Sequence, residues 1–339
     1  MRRAEVAEVL HDRVPQPRHL LRGGDQPDPR RSRRGDPSAA HDGRRRFLRP
    51  RRHQNRRHRR VREKRLTEKG VRPLFRRALA VLPLLAIVSH APSTDRIVAL
   101  TLNTKHGGEP PGRFEDQIGA IAAAAPDVVF LQEARYQQLS AYVDALNRAM
   151  NTVAWHGDYA RHCRAGHDPT CASFADESVM ILSLRPFETS ERHLIWARDD
   201  AWAARGVLRA RIAIGDGAAI ETFSCHLPAD AAFAASRRAW AARFTTWARR
   251  FPTPQLVGGD FNDGARSAAV AAMRRVYVDA FAARGSGRGG TETEDDQSYT
   301  NRYDYLFSAG PLAVESAEVP RVKISDHRPL VAAYRIEHR

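Results

Sequence analysis

An α/β domain is predicted over residues 93–339, and three observations carry the prediction. Short apolar runs of strand length recur along this region, separated by longer stretches with helical periodicity. Neither an internal repeat nor a second long linker divides it. The runs also end, repeatedly, on a polar residue able to do chemistry. Strands hold whatever follows them rigidly, so those ends are where a site is expected.

The 339-residue chain is strongly basic, but the excess is confined to its start. Residues 1–70 hold 23 Lys or Arg against 9 Asp or Glu, and the remainder 32 against 30. The high pI therefore says little about the folded part. Runs such as GRRRFLRPRRHQNRRHRRVREKR (Gly43–Arg65) cannot bury enough surface to offset their ordering entropy. Residues 1–70 are expected to be a disordered basic tail, read as an over-extended gene start in preference to a nucleic-acid-binding arm. Val71–Ser93 explains that preference: a basic beginning, an apolar run from Ala78 to Val88, then small residues around Ser89 and Ala91. This is the pattern of a secretory signal peptide, with a buried helix as the alternative. The run is too short to span a bilayer as a helix, and Pro83 weakens it further. Residues 71–92 are thus expected to direct export, and 93–339 to be the secreted or periplasmic domain.

Within the domain, Arg96–Leu102, Asp127–Gln132, Ser178–Leu184, Val207–Ile214, Ile220–Leu227 and Pro329–Ile336 read as buried strands. Arg113–Ala125 and Asp230–Phe251 read as helices; Trp240, Phe244 and Trp247 fall on one face of the second and are expected in the core. In QLVGGDFND (Gln255–Asp263) a strand closes, Gly258 and Gly259 are expected to turn the backbone, and Asp260, Asn262 and Asp263 to project from the turn. Gly285–Gln297 reads as an exposed loop. His156, His162 and His167 are placed about a polar loop, with a second metal site as the alternative, and His106 in a solvated loop, with reach to the substrate as the alternative.

Asn103 follows the first strand, Glu133 the second, and His226 the one ending at Leu227. Asp260 and Asn262 follow Gln255–Val257, Asp304 lies in NRYDYLFS, and Asp326 with His327 precede the last strand. Carboxylates and amide oxygens without a cysteine cluster are ligands for a hard cation, Mg²⁺ above all, with Mn²⁺ or Ca²⁺ as alternatives. Histidines beside carboxylates are suited to orienting and proton transfer. Phosphoester hydrolysis needs this combination: charge neutralisation, an oriented water and protonation of the leaving oxygen.

LTLNTKHGG, PDVVFLQE, ESVMILSLRPF, RGVLRARI, CHLP, GGDFND, RYDYLF and SDHRPL together resemble the endonuclease/exonuclease/phosphatase superfamily over about residues 95–337. That group includes pancreatic-type deoxyribonucleases, abasic-site endonucleases, neutral sphingomyelinases and inositol polyphosphate phosphatases. The resemblance implies a deoxyribonuclease-I-like α/β (α+β) fold, a four-layer sandwich of two mixed β-sheets flanked by helices. It implies that Glu133 and Asp326 bind the metal and that Asn103 helps to hold metal or phosphate. Asp260 would activate the attacking water and Asn262 would contact a phosphate oxygen. His327, held by Asp304, would steady the transition state, and His226 would act as an acid or phosphate contact. Glu177 is a candidate partner for His226, and Arg205 a candidate phosphate contact. Cys225 stands where the family often has Thr.

The substrate expected is a phosphodiester or phosphomonoester, nucleic acid foremost, and the protein is expected to be a monomeric nuclease or phosphodiesterase. A sphingomyelinase-like or inositol-phosphate enzyme is the alternative, and a catalytically silent binding module the reading from another class. The near-neutral domain gives little sign of a basic groove. Ile195, Trp196 and Trp202 are the nearest candidates for a membrane-entering hairpin. In an oxidising compartment Cys163 and Cys171 would pair, while Cys225 stays buried and reduced.

Overall fold

Side chains alternating along β1 (Arg96–Asn103) go to two different cores: Ile97 and Ala99 to one, Val98, Leu100 and Leu102 to another. A strand buried on both faces needs a layer above and below it. The computed structural model describes residues 95–109, 113–161, 176–196, 204–215, 217–293 and 298–337. A seven-stranded sheet runs β10 (Gly285–Ser286), β12 (Leu312–Glu318), β13 (Leu330–Ile336), β1, β2 (Val128–Arg135), β4 (Glu177–Ser183), β3 (His156–Arg161). A six-stranded sheet runs β5 (Phe187–Trp196), β6 (Ala204–Gly215), β7 (Ala218–His226), β8 (Gln255–Asp260), β11 (Asp304–Ala309), β9 (Val278–Asp279). Each is mixed, with parallel pairs β1–β2 and β7–β8 among antiparallel neighbours.

The two sheets share one core, to which Phe130 and Ile181 come from the first and Leu208 and Leu256 from the second. On the outer face of the first sheet, α2 (Arg113–Ala124) and α3 (Leu139–Ala149) bury Ile118, Ile121, Tyr142 and Leu146. On the other, α4 (Ala234–Ala248) and α5 (Ala268–Arg274) bury Trp240, Phe244, Trp247, Val270 and Met273. Trp240 and Phe244 stack at 5.1 Å, so the aromatic face of α4 is core as expected. The result is the predicted sandwich: helices, sheet, sheet, helices.

Several expectations need correction. Gly258 and Gly259 do not make the turn; both lie inside β8. A Cβ on Gly258 would meet Phe130 Cδ2 at 2.2 Å, and one on Gly259 would meet Cys225 O at 2.3 Å. They are there because the opposed sheet and the neighbouring strand approach closely. His156 begins an edge strand, β3, instead of a loop. Gly285 and Ser286 pair with β12, and Gly290, Thr291 and Thr293 are buried, so that stretch is only partly an exposed loop. Ile195 is core, packed with Val207 and Phe223, and is unavailable to a membrane. No described helix is long and apolar enough to cross a membrane. The tail 1–70, the segment 71–92, His162, His167, Trp202 and the pair Cys163 and Cys171 lie outside the described residues.

Candidate active site

Strand register brings three of the polar residues into one row. Across the parallel β7–β8 pair His226 lies opposite Asp260, and across the antiparallel β8–β11 pair Asp260 lies opposite Asp304. The facing sheet brings Asn103 at the end of β1 and Glu133 in β2. The Asn103 amide joins the sheets: its Nδ2 donates to Glu133 Oε1 at 2.9 Å and to Asp260 Oδ2 at 3.0 Å.

The loop before β13 completes the row. His327 Nδ1 lies 2.7 Å from Asp304 Oδ2, and Nε2 lies 3.8 Å from Asp260 Oδ2. Ser325 Oγ anchors this loop, within hydrogen-bond distance of Asn103 O (2.9 Å) and Asp326 Oδ1 (3.0 Å). Buried Gln117 of α2 donates to Thr104 O at 2.9 Å and Ile324 O at 3.1 Å, tying the same two segments from behind.

The turn after β8 is built by its own carboxylate. Asn262 N donates to Asp260 Oδ1 at 2.7 Å, an Asx turn, and Asn262 takes the left-handed backbone that asparagine tolerates. Its Nδ2 then lies 3.0 Å from His226 Nε2 and donates to Leu227 O at 2.9 Å. Asp263 turns away to pair with Arg237 of α4 at 3.3 Å. Arg237 in turn donates to Pro228 O and Asp230 O, each at 2.8 Å, shaping the loop beside the cleft.

Backbone strain gathers at the same place. Of the described non-glycine residues with left-handed φ, Lys105, His106, Glu133 and Asn262 belong to this region, against Ala125 and Asn151 elsewhere. Such conformations cost on the order of 1–3 kcal/mol each and persist where surroundings over-determine them. The α1 segment (Lys105–Gly108) is a single left-handed turn, with φ of 52°, 50°, 74° and 94°. Glu133 stands at 54° where the β2–β4 register slips, a bulge that re-aims its side chain.

That turn delivers a residue the sequence reading placed in solvent. His106 Nδ1 is in direct contact with Glu177 Oε1 and lies 3.7 Å from Glu133 Oε2. Glu177 is thus the partner of His106, not of His226 as expected. His226 has Asp260 Oδ2 at 3.5 Å and Glu133 Oε1 at 3.9 Å. Lys105 Nζ lies 3.1 Å from Asp326 Oδ2. Consecutive glycines after Lys-His were the only sequence sign of the left-handed turn.

One cleft of about 450 Å³ is lined by Asn103, His106, Glu133, Glu177, Arg205, His226, Asp260, Asn262, Glu292, Asp326 and His327, among others. Asp304 lies behind His327, fully buried. Glu292 was not anticipated; it enters through a bridge to His327 and accepts from Asn301 Nδ2 at 2.9 Å. Burial raises Asp260 to about 7, and Asp304 pushes the same way, against the pull of His327 and the Asn103 hydrogen bond. For His327 burial opposes the charge, but Asp304, Asp260 and Asp326 outweigh it and raise the ring to about 10. Burial and the Glu133 charge raise Glu177 to about 7. His106 is also raised, burial being overcome by its bond to Glu177 and the charge of Glu133. The two titrate as a pair.

Among the described residues two groups could ligate a metal, the atoms within each lying no more than 4.8 Å apart: His106, Glu133 and Glu177, and Asp260, Asp304 and His327. The second is committed internally by the His327–Asp304 bond. Carboxylate oxygens of Glu133 and Asp326 suit a hard cation, and the Lys105 ammonium already answers the charge of Asp326. The donor set fits a divalent ion.

The Endonuclease/Exonuclease/phosphatase family profile matches residues 100–327. No curated protein gives a significant match. Among solved structures, an endonuclease/exonuclease/phosphatase from Bacteroides vulgatus shares 18% identity over 71% of this chain and 99% of its own, with a TM-score of 0.58. The human Nocturnin catalytic domain with bound sulfate shares 16% over 72% and 95%, TM-score 0.54. Truncated Caenorhabditis elegans TDP2 shares 19% over 72% and 98%, TM-score 0.53. At these identities the likeness is one of fold. The profile match covers most of the described domain, and the chain belongs to the Endonuclease/Exonuclease/phosphatase family of metal-dependent, hydrolytic phosphoesterases.

Proposed function

We propose that this chain is an exported phosphodiesterase, with nucleic acid the first substrate to test, acting through the Asp260 row. The observation that carries the reading is the alignment of His226, Asp260 and Asp304 across three adjacent strands with His327 bonded to Asp304. Glu133 and Asp326, with Asn103 beside them, are the residues to hold a divalent ion, which when bound would neutralise phosphate charge. Asp260, raised towards neutrality, is suited to take a proton from the attacking water. The His327 ring, held cationic by Asp304, faces the charge that grows on the phosphoryl oxygens. Asn103 holds the Glu133 and Asp260 carboxylates at a fixed spacing. Asn262 Nδ2 donates to Leu227 O and faces His226 Nε2 at 3.0 Å, which holds the His226 ring at the cleft as the acid or phosphate contact, and buried Arg205 lines the same cleft. The test is a panel of DNA, RNA, sphingomyelin and inositol phosphates, each assayed with Mg²⁺ or Mn²⁺ and with chelator. Metal-dependent cleavage of a diester supports the reading. Cleavage confined to monoesters overturns the diesterase part, and no hydrolysis of any member overturns it entirely.

A further inference from the structure

We infer that the outer face of α4 is a second binding surface, a track of arginines that takes the phosphate backbone of a nucleic acid leading out of the cleft. The inference rests on the proposed diesterase reading and names its substrate class. The domain is near neutral as a whole, but its charge is segregated. From Ala234 to Arg250, α4 and the turn after it carry five arginines and no acidic residue. Arg237 is buried, while Arg238, Arg243, Arg249 and Arg250 are exposed. At 3.6 residues per turn, Arg243 and Arg250 lie along one edge of the exposed face and Arg238 and Arg249 along the other. Ala235, Ala242 and Thr246 lie between them, so two cationic rows flank a furrow of small side chains. Part of that furrow is a depression of about 460 Å³ lined by Ala242, Arg243, Thr246, Trp247 and Arg250.

The track begins at the cleft. Asp230 and Phe233 line the cleft, and α4 starts at the next residue, Ala234. From there to Arg250 the helix rises about 24 Å, the length of about seven nucleotides at about 3.4 Å each along a duplex strand. Beside the furrow, His193 of β5 stacks on Trp247 at 4.4 Å, and the adjoining carboxylate, Glu191, is paired with Arg209 at 3.4 Å. Clustered guanidinium groups on one face are the electrostatic footprint of phosphate-backbone binding. A lipid surface fits less well, because it needs an apolar face to enter the bilayer, and that of α4 is packed in the core through Trp240, Phe244 and Trp247. Among the described residues the exposed large apolar side chains are Val153 and Val278, neither of them on α4.

The test uses the full chain in chelator, so that binding is read without hydrolysis. Fluorescence anisotropy follows a labelled oligonucleotide of about 20 nucleotides, long enough to cover cleft and helix, as a DNA duplex and as an RNA strand. Wild type is compared with Arg243→Gln/Arg250→Gln, with Arg238→Gln/Arg249→Gln and with the fourfold variant, glutamine being a good helix former. The fourfold variant should bind about 10–10³-fold more weakly at low salt, and its slope of log K against log[salt] should be shallower by about 3. Each double variant should show about half that change in slope. An oligonucleotide of about four nucleotides, held by the cleft alone, should bind wild type and fourfold variant alike. With metal restored, both should cleave bis(p-nitrophenyl) phosphate at the same rate. Unchanged affinity and slope in the fourfold variant overturn the inference, as does an equal loss for the short oligonucleotide. Vesicles of phosphatidylglycerol and phosphatidylcholine that need these arginines, when oligonucleotides do not, overturn it in favour of a lipid surface. The two failures are distinct: diesters cleaved while binding ignores the arginines sink this inference alone, and arginine-dependent binding without cleavage of any diester sinks the proposed function alone.

Discussion

Asp260 and Asp304 face each other directly across the antiparallel β8–β11 pair, two buried carboxylates in register. Like charges so placed destabilise a sheet. His327 occupies the space beside them, 2.7 Å from one and 3.8 Å from the other. The fold thus tolerates a repulsive pair by seating a cationic ring against it.

If Asp304 acts by holding His327 protonated, Asp304→Asn should lower turnover by about 10²–10⁴-fold and move the alkaline limb of the pH–rate profile to lower pH. The double variant Asp304→Asn/His327→Ala should be little worse than either single one. Steady-state kinetics across pH, with melting temperatures as the folding control, decide this. Multiplicative losses or an unmoved limb would refute the pairing.

The same groups set the pH dependence of the metal-free fold. Asp260 has a native pKa raised to about 7, so its stabilising contribution is full below about pH 4 and is lost as pH rises through 7. His327 is raised to about 10, so its contribution is full below about pH 6.5 and is lost as pH rises through 10. Urea unfolding in chelator should therefore show stability declining over both windows. Asp260→Asn should flatten the lower one and His327→Gln the upper. Equal slopes in all three proteins would contradict both assignments.

Away from the cleft, Asp279 is buried at the start of α6 (Ala280–Arg284), caps it through Ala282 N, and takes both ends of Arg302 at 2.8 and 2.9 Å. Burial disfavours its charge, but Arg302 and Arg274 hold its carboxyl below the usual range. Asp279→Ala strands these cations and should cost about 3–5 kcal/mol. Denaturant titration should show that loss, while turnover per folded molecule stays within about twofold, because no part of the cleft touches it.

Gly258 offers a test of the packing between sheets. Gly258→Ala places a methyl against the Phe130 ring and should cost about 1–3 kcal/mol. Combining it with Phe130→Leu should recover part of that loss, and strictly additive effects would show that the two do not compete for space.

Much of this was legible in the sequence because strand ends carry their own signal. The continuous apolar runs of β1, β2, β4 and β13 are buried on both faces; Asn103 and Glu133 sit in β1 and β2, Asp260 ends β8, and Asp326 precedes β13. Edge strands β3 and β5 were not legible as strands. Their solvent face carries Asp158, Arg192 and Glu188, paired with one another or with β6, which masks the alternation while guarding the edges. His106 and Glu292 escaped for another reason: each reaches the cleft through backbone geometry, a left-handed turn and an isolated bridge, which composition does not encode. The misassigned partner of Glu177 follows from the same turn, since only a three-dimensional arrangement could place His106 nearer than His226.

Asp260 is where the strand row, the turn and the facing sheet converge, so its removal tests the proposed chemistry most directly. The measurement is hydrolysis of bis(p-nitrophenyl) phosphate by wild type and Asp260→Asn, with Mn²⁺ or Mg²⁺ and with excess chelator, alongside melting temperature. Turnover should require the ion and fall by about 10²-fold or more in Asp260→Asn, in a protein that melts no lower than wild type in chelator. Turnover that survives chelation, or that survives the loss of Asp260, would contradict a metal-dependent site centred on this carboxylate.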